Sequence, residues 1–229
     1  MPFSRSVLVL LFLAIFFQSC KKDEEETPIS LYTGQNYYPD ETGIERTYLV
    51  DSIAWDEFTN TIDTFRYYYR EVIESHYTDN AGRKTQRIER FLFDSTAGTW
   101  VIWRVMAANV TSGTVELLDD NIRYLRLVLP PSLNTSWNGN VYNTFDPLSY
   151  KITAVHEPET TPFLQFDSTL TVVQQDDFTL IYDRYAEERY AANYGLYYRY
   201  QKDVETNPSN LQIISGFIYT CRLISFTNP

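Results

Sequence analysis

Histidine is the side chain that most often moves protons near neutral pH, and this sequence offers two, His76 and His156. Neither belongs to an H-E-x-x-H arrangement. The sequence also has no G-x-S-x-G motif, no phosphate-binding glycine loop and no cysteine pair that would complete a zinc site. The run from His156 to Glu159 is typical of a strand end entering a loop. We therefore predict a noncatalytic protein without a metal or cofactor, and an unrecognised hydrolase, including a paired-carboxylate glycosidase, stays open as an alternative.

Cys20 is the residue whose position is most specific, because it stands where an apolar leader ends. Arg5 supplies a positive start, and residues 7–17 form an unbroken apolar run that continues through Gln18 and Ser19 to the cysteine. A membrane-spanning helix needs about 20 apolar residues, so this run is too short to span. The pattern predicts a cleaved signal peptide over residues 1–19.

The residues around the cysteine carry a family resemblance. Residues 17–20, Phe-Gln-Ser-Cys, resemble a lipobox, and Lys22, Asp23 and Glu24 resemble the acidic export signal of Bacteroidota lipoproteins. The resemblance implies that fatty acids such as palmitate are attached to Cys20. It also implies that the protein is exported to the outer face of the outer membrane, exposed at the cell surface. An ordinary secretory peptide followed by a solvated acidic linker remains the alternative.

Residues 20–36 are interpreted as an acidic flexible tether, because they contain an acidic run and a proline and lack periodicity. Fully extended, fifteen such residues reach roughly 50 Å. The whole chain has a net charge of −11, and no basic run exceeds two residues. Nucleic acid is therefore excluded as an expected partner, since phosphate binding needs a basic stripe. The membrane is expected as a partner only through the N-terminal lipid.

Residues 37–229 are predicted to form a single all-β domain. From Thr47 onward, short β-branched and aromatic runs alternate with turn sequences such as residues 79–82 and 111–113. A short helix is predicted at residues 185–193, and a strand at residues 178–183. Cys221 lies on the apolar face of an alternating strand and is predicted to be a core residue.

The C-terminal half also resembles known proteins. Trp137 to Phe226 is similar to uncharacterised Bacteroidota lipoproteins, and the segment ending in Gly195-Leu196-Tyr197 resembles clam-like half-barrel periplasmic proteins. The expected fold is a strongly curved antiparallel sheet, either a clam-like half-barrel or a barrel or sandwich, with at most one short helix.

Aromatic residues make up 16% of the chain, and they supply the candidate binding residues. Strands such as residues 100–108 are apolar on both faces, so a second sheet, a folded-back loop or a partner must cover them. The expected ligand-facing or partner-facing side chains are Tyr68, Trp103, Tyr198 and Tyr200. The leading hypothesis is an envelope lipoprotein that binds an apolar or glycan ligand or a partner protein. The alternative is a structural or adhesive surface protein with a solid core.

The lipid anchor is tested by mass spectrometry of the mature N-terminus together with surface proteolysis of whole cells. We expect a fatty-acylated Cys20 and an exposed domain, and we expect Cys20→Ala to carry no lipid and to keep its leader uncleaved, because no thiol remains to be acylated. A native chain free of fatty acid, or a Cys20→Ala variant trimmed and released normally, would overturn the assignment.

Overall fold

The computed structural model describes residues 32–229, which form one antiparallel sheet and one 3-10 helix, so the predicted all-β fold is confirmed. The helix is Gln35–Tyr37. The strands are β1 Glu45–Asp56, β2 Thr61–Thr78, β3 Lys84–Asp94, β4 Thr99–Val110, β5 Thr114–Asp119, β6 Ile122–Val128, β7 Ser136–Asn138, β8 Ser149–Thr160, β9 Gln165–Phe178, β10 Tyr182–Ala191, β11 Gly195–Thr206 and β12 Ile213–Thr227.

The sheet is built from two runs of antiparallel neighbours joined in the middle. Its order is β6-β5-β4-β3-β2-β1-β12-β11-β10-β9-β8-β7, so β1 pairs with β12 and the edges are β6 and β7. Only the β1–β12 pairing joins strands far apart in sequence, with Leu49 opposite Arg222. This register places the first and last strands side by side at the centre of the sheet.

The two edges of the sheet approach each other closely, so the sheet forms a nearly closed barrel. The backbone N–H of Leu125 on β6 donates to the carbonyl of Gly139, just after β7, at 2.9 Å. The indole N–H of Trp137 on β7 donates to the carbonyl of Leu125 at 2.9 Å. These bonds satisfy edge groups that would otherwise be exposed.

Apolar side chains from opposite ends of the sheet explain the curvature. Val115 and Leu127 from β5 and β6 share one buried cluster with Ile152, Leu170 and Val172 from β8 and β9. Only a curved sheet brings these strands into contact, and burying their side chains together favours closure.

A second buried cluster occupies the middle strands. The rings of Tyr48 and Tyr69 stack with their centroids 4.7 Å apart. Cys221 is fully buried beside them, with its Sγ 3.1 Å from the Tyr69 hydroxyl oxygen. The prediction that Cys221 is a core residue is therefore confirmed.

The segment before β1 packs against one end of the barrel. Tyr37 is fully buried in the cluster that crosses the seam. The backbone N–H of Asn193 donates to the carbonyl of Asn36 at 2.7 Å. Residues 32–36, which the sequence places at the end of the tether, thus contribute a contact to the β10–β11 turn.

The helix predicted at residues 185–193 is wrong, because most of that segment belongs to strand β10. Its charged side chains alternate: Glu188 points into the barrel opposite Arg199, whereas Glu187 points outward with Arg189. Cross-strand pairing therefore overrides the helix propensity of Ala, Glu and Arg in this stretch.

Two predicted strand boundaries are also corrected. Residues 178–183, predicted as a strand, contain the turn between β9 and β10. Strand β8 does not end at His156 but continues to Thr160. His156 has a φ of 60°, and the strand register shifts on both sides of it. These irregularities let the strand accommodate Pro158 as a bulge.

Gly139 offers a direct test of the seam. A Cβ atom there would lie 2.3 Å from the ring of buried Tyr150, so Gly139→Ala forces the seam apart. We expect it to lower the free energy of unfolding by about 1–3 kcal/mol, measured by denaturant titration. Gly113→Ala is the matched control, because nothing lies within 4 Å of the added methyl. Equal stability of the two variants would contradict this description of the seam.

Candidate functional site on the outer face of the sheet

The barrel interior contains a layer of charged side chains rather than a ligand-sized cavity. Arg90 bonds to Glu71, and Arg126 and Arg199 both contact Glu188, which is fully buried. Between them lies a cavity of about 30 Å³. Organic ligands occupy cavities of roughly 300 Å³ or more, so this cavity is too small for a lipid or a sugar.

The outer surface of the barrel brings three of the four predicted binding residues together. Tyr68 on β2 and Tyr198 on β11 belong to one cross-strand row, which reads Tyr68, Leu49, Arg222, Tyr198, Arg189. The adjacent row holds Tyr200 and reads Arg66, Asp51, Thr220, Tyr200, Glu187. The chain neighbours Tyr69 and Cys221 point inward, so both rows face outward. Five strands span about 19 Å.

Ion pairs hold the polar side chains of these rows in place. The Asp51 carboxylate accepts from Arg66 at 2.6 Å and from Arg222 at 2.8 Å. The hydrogen bond from Arg66, with the charges of both arginines, lowers the pKa of Asp51 against the opposing effect of burial. The Asp51 carboxylate therefore stays ionised at neutral pH and fixes both guanidiniums on the surface.

Tyr198 lines a shallow groove in this surface. The Arg189 guanidinium lies 4.8 Å from the centroid of its ring, and partial burial raises the pKa of the Tyr198 phenol. The groove has a volume of about 230 Å³ and extends from Tyr198 and Arg222 to Phe163 in the β8–β9 turn. Its phenol and guanidinium groups can donate hydrogen bonds to a bound molecule.

The same outer surface continues over β2, β3 and β4 as a set of aromatic rings. The ring of Phe93 lies edge-on to Tyr68, with centroids 6.5 Å apart, and 5.2 Å from Trp100. Arg70 lies over Phe91 and Trp100 at 5.4 and 5.1 Å. We call this continuous surface, the two rows together with these rings, the outer aromatic face.

Sequence reasoning missed Phe93, Trp100 and the arginines of the outer aromatic face. The alternation of Phe91 with Phe93 indicates that they share one face of β3. No local signal pairs Arg222 with Asp51, because 171 residues separate them.

Trp103, the fourth predicted residue, lies on the other side of the sheet. It stands near the end of the barrel, 44% exposed, with Arg104 at 4.3 Å and Arg90 at 5.8 Å from its ring centroid. Arg90 belongs to the interior layer, so Trp103 is separated from Tyr68 by the sheet itself. Cys20, Lys22, Asp23 and Glu24 lie outside the described residues.

The two histidines have different neighbours. His156 Nδ1 is 3.0 Å from the Tyr37 hydroxyl and 3.3 Å from Ser168 Oγ. His76 Nδ1 is 3.0 Å from the Thr42 hydroxyl, and Asp40 lies 3.9 Å from its Nε2. Within residues 32–229, no three His, Cys, Asp or Glu side chains cluster closely enough to hold a metal ion. That part of the chain also contains no helix long and apolar enough to cross a membrane.

Comparison with known proteins gives two distant structural neighbours. A Bacteroides fragilis chain, provisionally named an exported protein with a YmcC-like fold, matches with 11% identity and a TM-score of 0.49. A Parabacteroides distasonis chain, provisionally named a lipoprotein, matches with 13% identity and a TM-score of 0.43. Each alignment covers 83% of this chain and 98% of the other. No protein-family model and no curated protein matches the chain. The similarity is too low to carry an argument about function.

Proposed function

We propose that this protein is a noncatalytic lipoprotein, anchored through Cys20 at the outside of the outer membrane, that binds a partner protein through its outer aromatic face. The anchor is inferred from the leader and the cysteine that follows it. The observation that carries the binding proposal is the alignment of Tyr68, Tyr198 and Tyr200 with arginines on one outward surface.

The composition of the outer aromatic face supports a protein as its occupant. Tyrosine, tryptophan and arginine are the residues most enriched at energetically important interface positions. Arg66, Arg70 and Arg222 are held by carboxylates or rings, so less conformational entropy is lost when a partner binds. The surface is also broad, whereas the groove beside Tyr198 is small.

Exposed apolar side chains on β4 also support a protein as the partner. Ile102 on the outer face is 53% exposed, and Val105 is 46% exposed. Within residues 32–229, no second sheet and no folded-back loop covers these side chains. A strand that is apolar on both faces was expected to be covered by a second sheet, a folded-back loop or a partner. Because this part of the chain supplies neither of the first two, a partner is the covering that remains.

The small interior cavity argues against an apolar or glycan ligand enclosed by the barrel, which is another form of the leading hypothesis. A filled interior with an exposed apolar surface also supports the alternative, a structural or adhesive surface protein with a solid core, because adhesion uses an exposed surface too.

Site-specific photo-crosslinking in intact cells tests the binding face in the full-length protein. We expect p-benzoylphenylalanine at Tyr68 and at Tyr198 to give the same discrete protein adduct, because about 14 Å separates the two positions and one interface covers both. Tyr142 is the matched control, an exposed tyrosine away from the outer aromatic face, and it should give none.

A substitution tests whether the adduct depends on the outer aromatic face. Arg222→Ala should lower the adduct yield at Tyr198 at least about tenfold, whereas Lys84→Ala, an exposed cation paired with Asp40, should leave it unchanged. Equal adducts at Tyr142, no adduct at a surface-displayed Tyr198 variant, or an adduct removed by glycosidases and not by proteases would each overturn the proposal.

A further inference from the structure

The small cavity inside the barrel is lined by an unusual excess of positive charge. Four arginines border it, and the strands that supply them lie on both sides of the barrel: Arg46 on β1, Arg90 on β3, Arg126 on β6 and Arg199 on β11. Arg46, Arg90 and Arg126 are each less than 9% exposed. We call this cavity the arginine chamber.

Two carboxylates face these four guanidiniums. Glu71 bonds to Arg90, with Nε–Oε1 at 3.0 Å. Glu188 is shared by Arg126 and Arg199, with the Arg199 Nε–Oε1 distance at 2.7 Å. Four arginines and two glutamates therefore leave the arginine chamber, as far as residues 32–229 show, with an excess of two positive charges.

Arg46 is the arginine left without a carboxylate. Its Nε donates to the backbone carbonyl of Tyr194 at 2.6 Å, and among residues 32–229 no carboxylate lies within salt-bridge distance of it. Glu71 stands opposite Arg46 in the strand register, but its carboxylate bonds to Arg90. The guanidinium of Arg46 borders the cavity close to Gly195.

The neighbouring phenols and the thiol do not supply the missing negative charge. Burial raises the pKa of Tyr38 to about 12 and raises the pKa of Tyr48 well above its ordinary value. Burial likewise raises the pKa of the Cys221 thiol. All three groups are therefore uncharged at neutral pH, and the excess charge of the arginine chamber remains.

Water alone compensates such an excess poorly. A buried charge without a counter-ion is expensive, and replacing its hydration requires a nearby opposite charge. The cavity of about 30 Å³ has room for a small anion or about two water molecules, but not for an organic acid. The size of the cavity and its excess positive charge thus both favour a small anion.

We propose that the arginine chamber binds a small monovalent anion, of the size of chloride, which is held by Arg46 and neutralises part of the buried positive charge. This inference is independent of how the outer aromatic face is used.

The stability of the full-length protein as a function of chloride tests this site. Unfolding is followed in sodium chloride and, at equal ionic strength, in sodium gluconate, whose anion is too large for the cavity. Above the dissociation constant, each tenfold rise in chloride should lower the unfolding equilibrium constant about tenfold, as one site requires. Gluconate should give no such dependence. Identical behaviour in the two salts would overturn the proposal.

Variants identify the residue responsible. Arg46→Met should abolish the chloride dependence, whereas Arg87→Met, an arginine on the barrel surface paired with Glu74, should retain it. A chloride dependence that survives in Arg46→Met would place the anion elsewhere and refute the assignment.

The position of the anion can be determined without any variant, in case Arg46→Met does not fold. Crystals of the full-length protein grown in bromide should show an anomalous diffraction peak inside the arginine chamber, at contact distance from the Arg46 guanidinium. Bromide peaks confined to the protein surface would contradict the proposal.

Discussion

The buried carboxylate of Glu188 is the interaction on which the rest of this structure depends. It is fully inaccessible to solvent, and it is contacted from one side by Arg126 on β6 and from the other by Arg199 on β11. Strands β6 and β11, which lie seven positions apart in the sheet order, are joined through one side chain in this way. Removing one partner of such a buried group typically costs about 3–5 kcal/mol, because the remaining charges stay buried.

The charged layer also determines how much space remains inside the barrel. It fills the middle of the barrel with arginines, glutamates and tyrosines, and the cavity between them measures about 30 Å³. A barrel with a larger apolar cavity could enclose a lipid, whereas this cavity is too small for one. On the outer surface, Tyr198 and Trp100 each lie against an arginine and Arg222 pairs with Asp51, which supports the proposal that recognition occurs there.

Local sequence signals predicted much of the strand structure but not the barrel interior. The turn at residues 79–82 and the core position of Cys221 could be predicted, because turn residues and strict alternation are local signals. The inward orientation of Glu188 could not, since a lone glutamate in a polar stretch looks like a surface residue. Its burial depends on arginines that lie 11 and 62 residues away.

The candidate site was predicted in its residue types rather than in its arrangement. Tyr68, Tyr198 and Tyr200 were selected because consecutive tyrosines must occupy both faces of a strand. Their alignment on one surface follows from the pairing of β1 with β12, which only the complete fold determines. Trp103 was selected because its strand is apolar on both faces, but the bulge between β3 and β4 directs it to the other side of the sheet.

Mass spectrometry of the full-length protein tests most directly whether the interior is filled and recognition occurs outside. The protein is purified in mild detergent from the membranes of the cells that make it, and its native mass is compared with its denatured mass. The structure predicts that, apart from any partner protein bound at the outer aromatic face, the two masses differ only by small ions and water. Release of one equivalent of a lipid or a sugar on denaturation would contradict it.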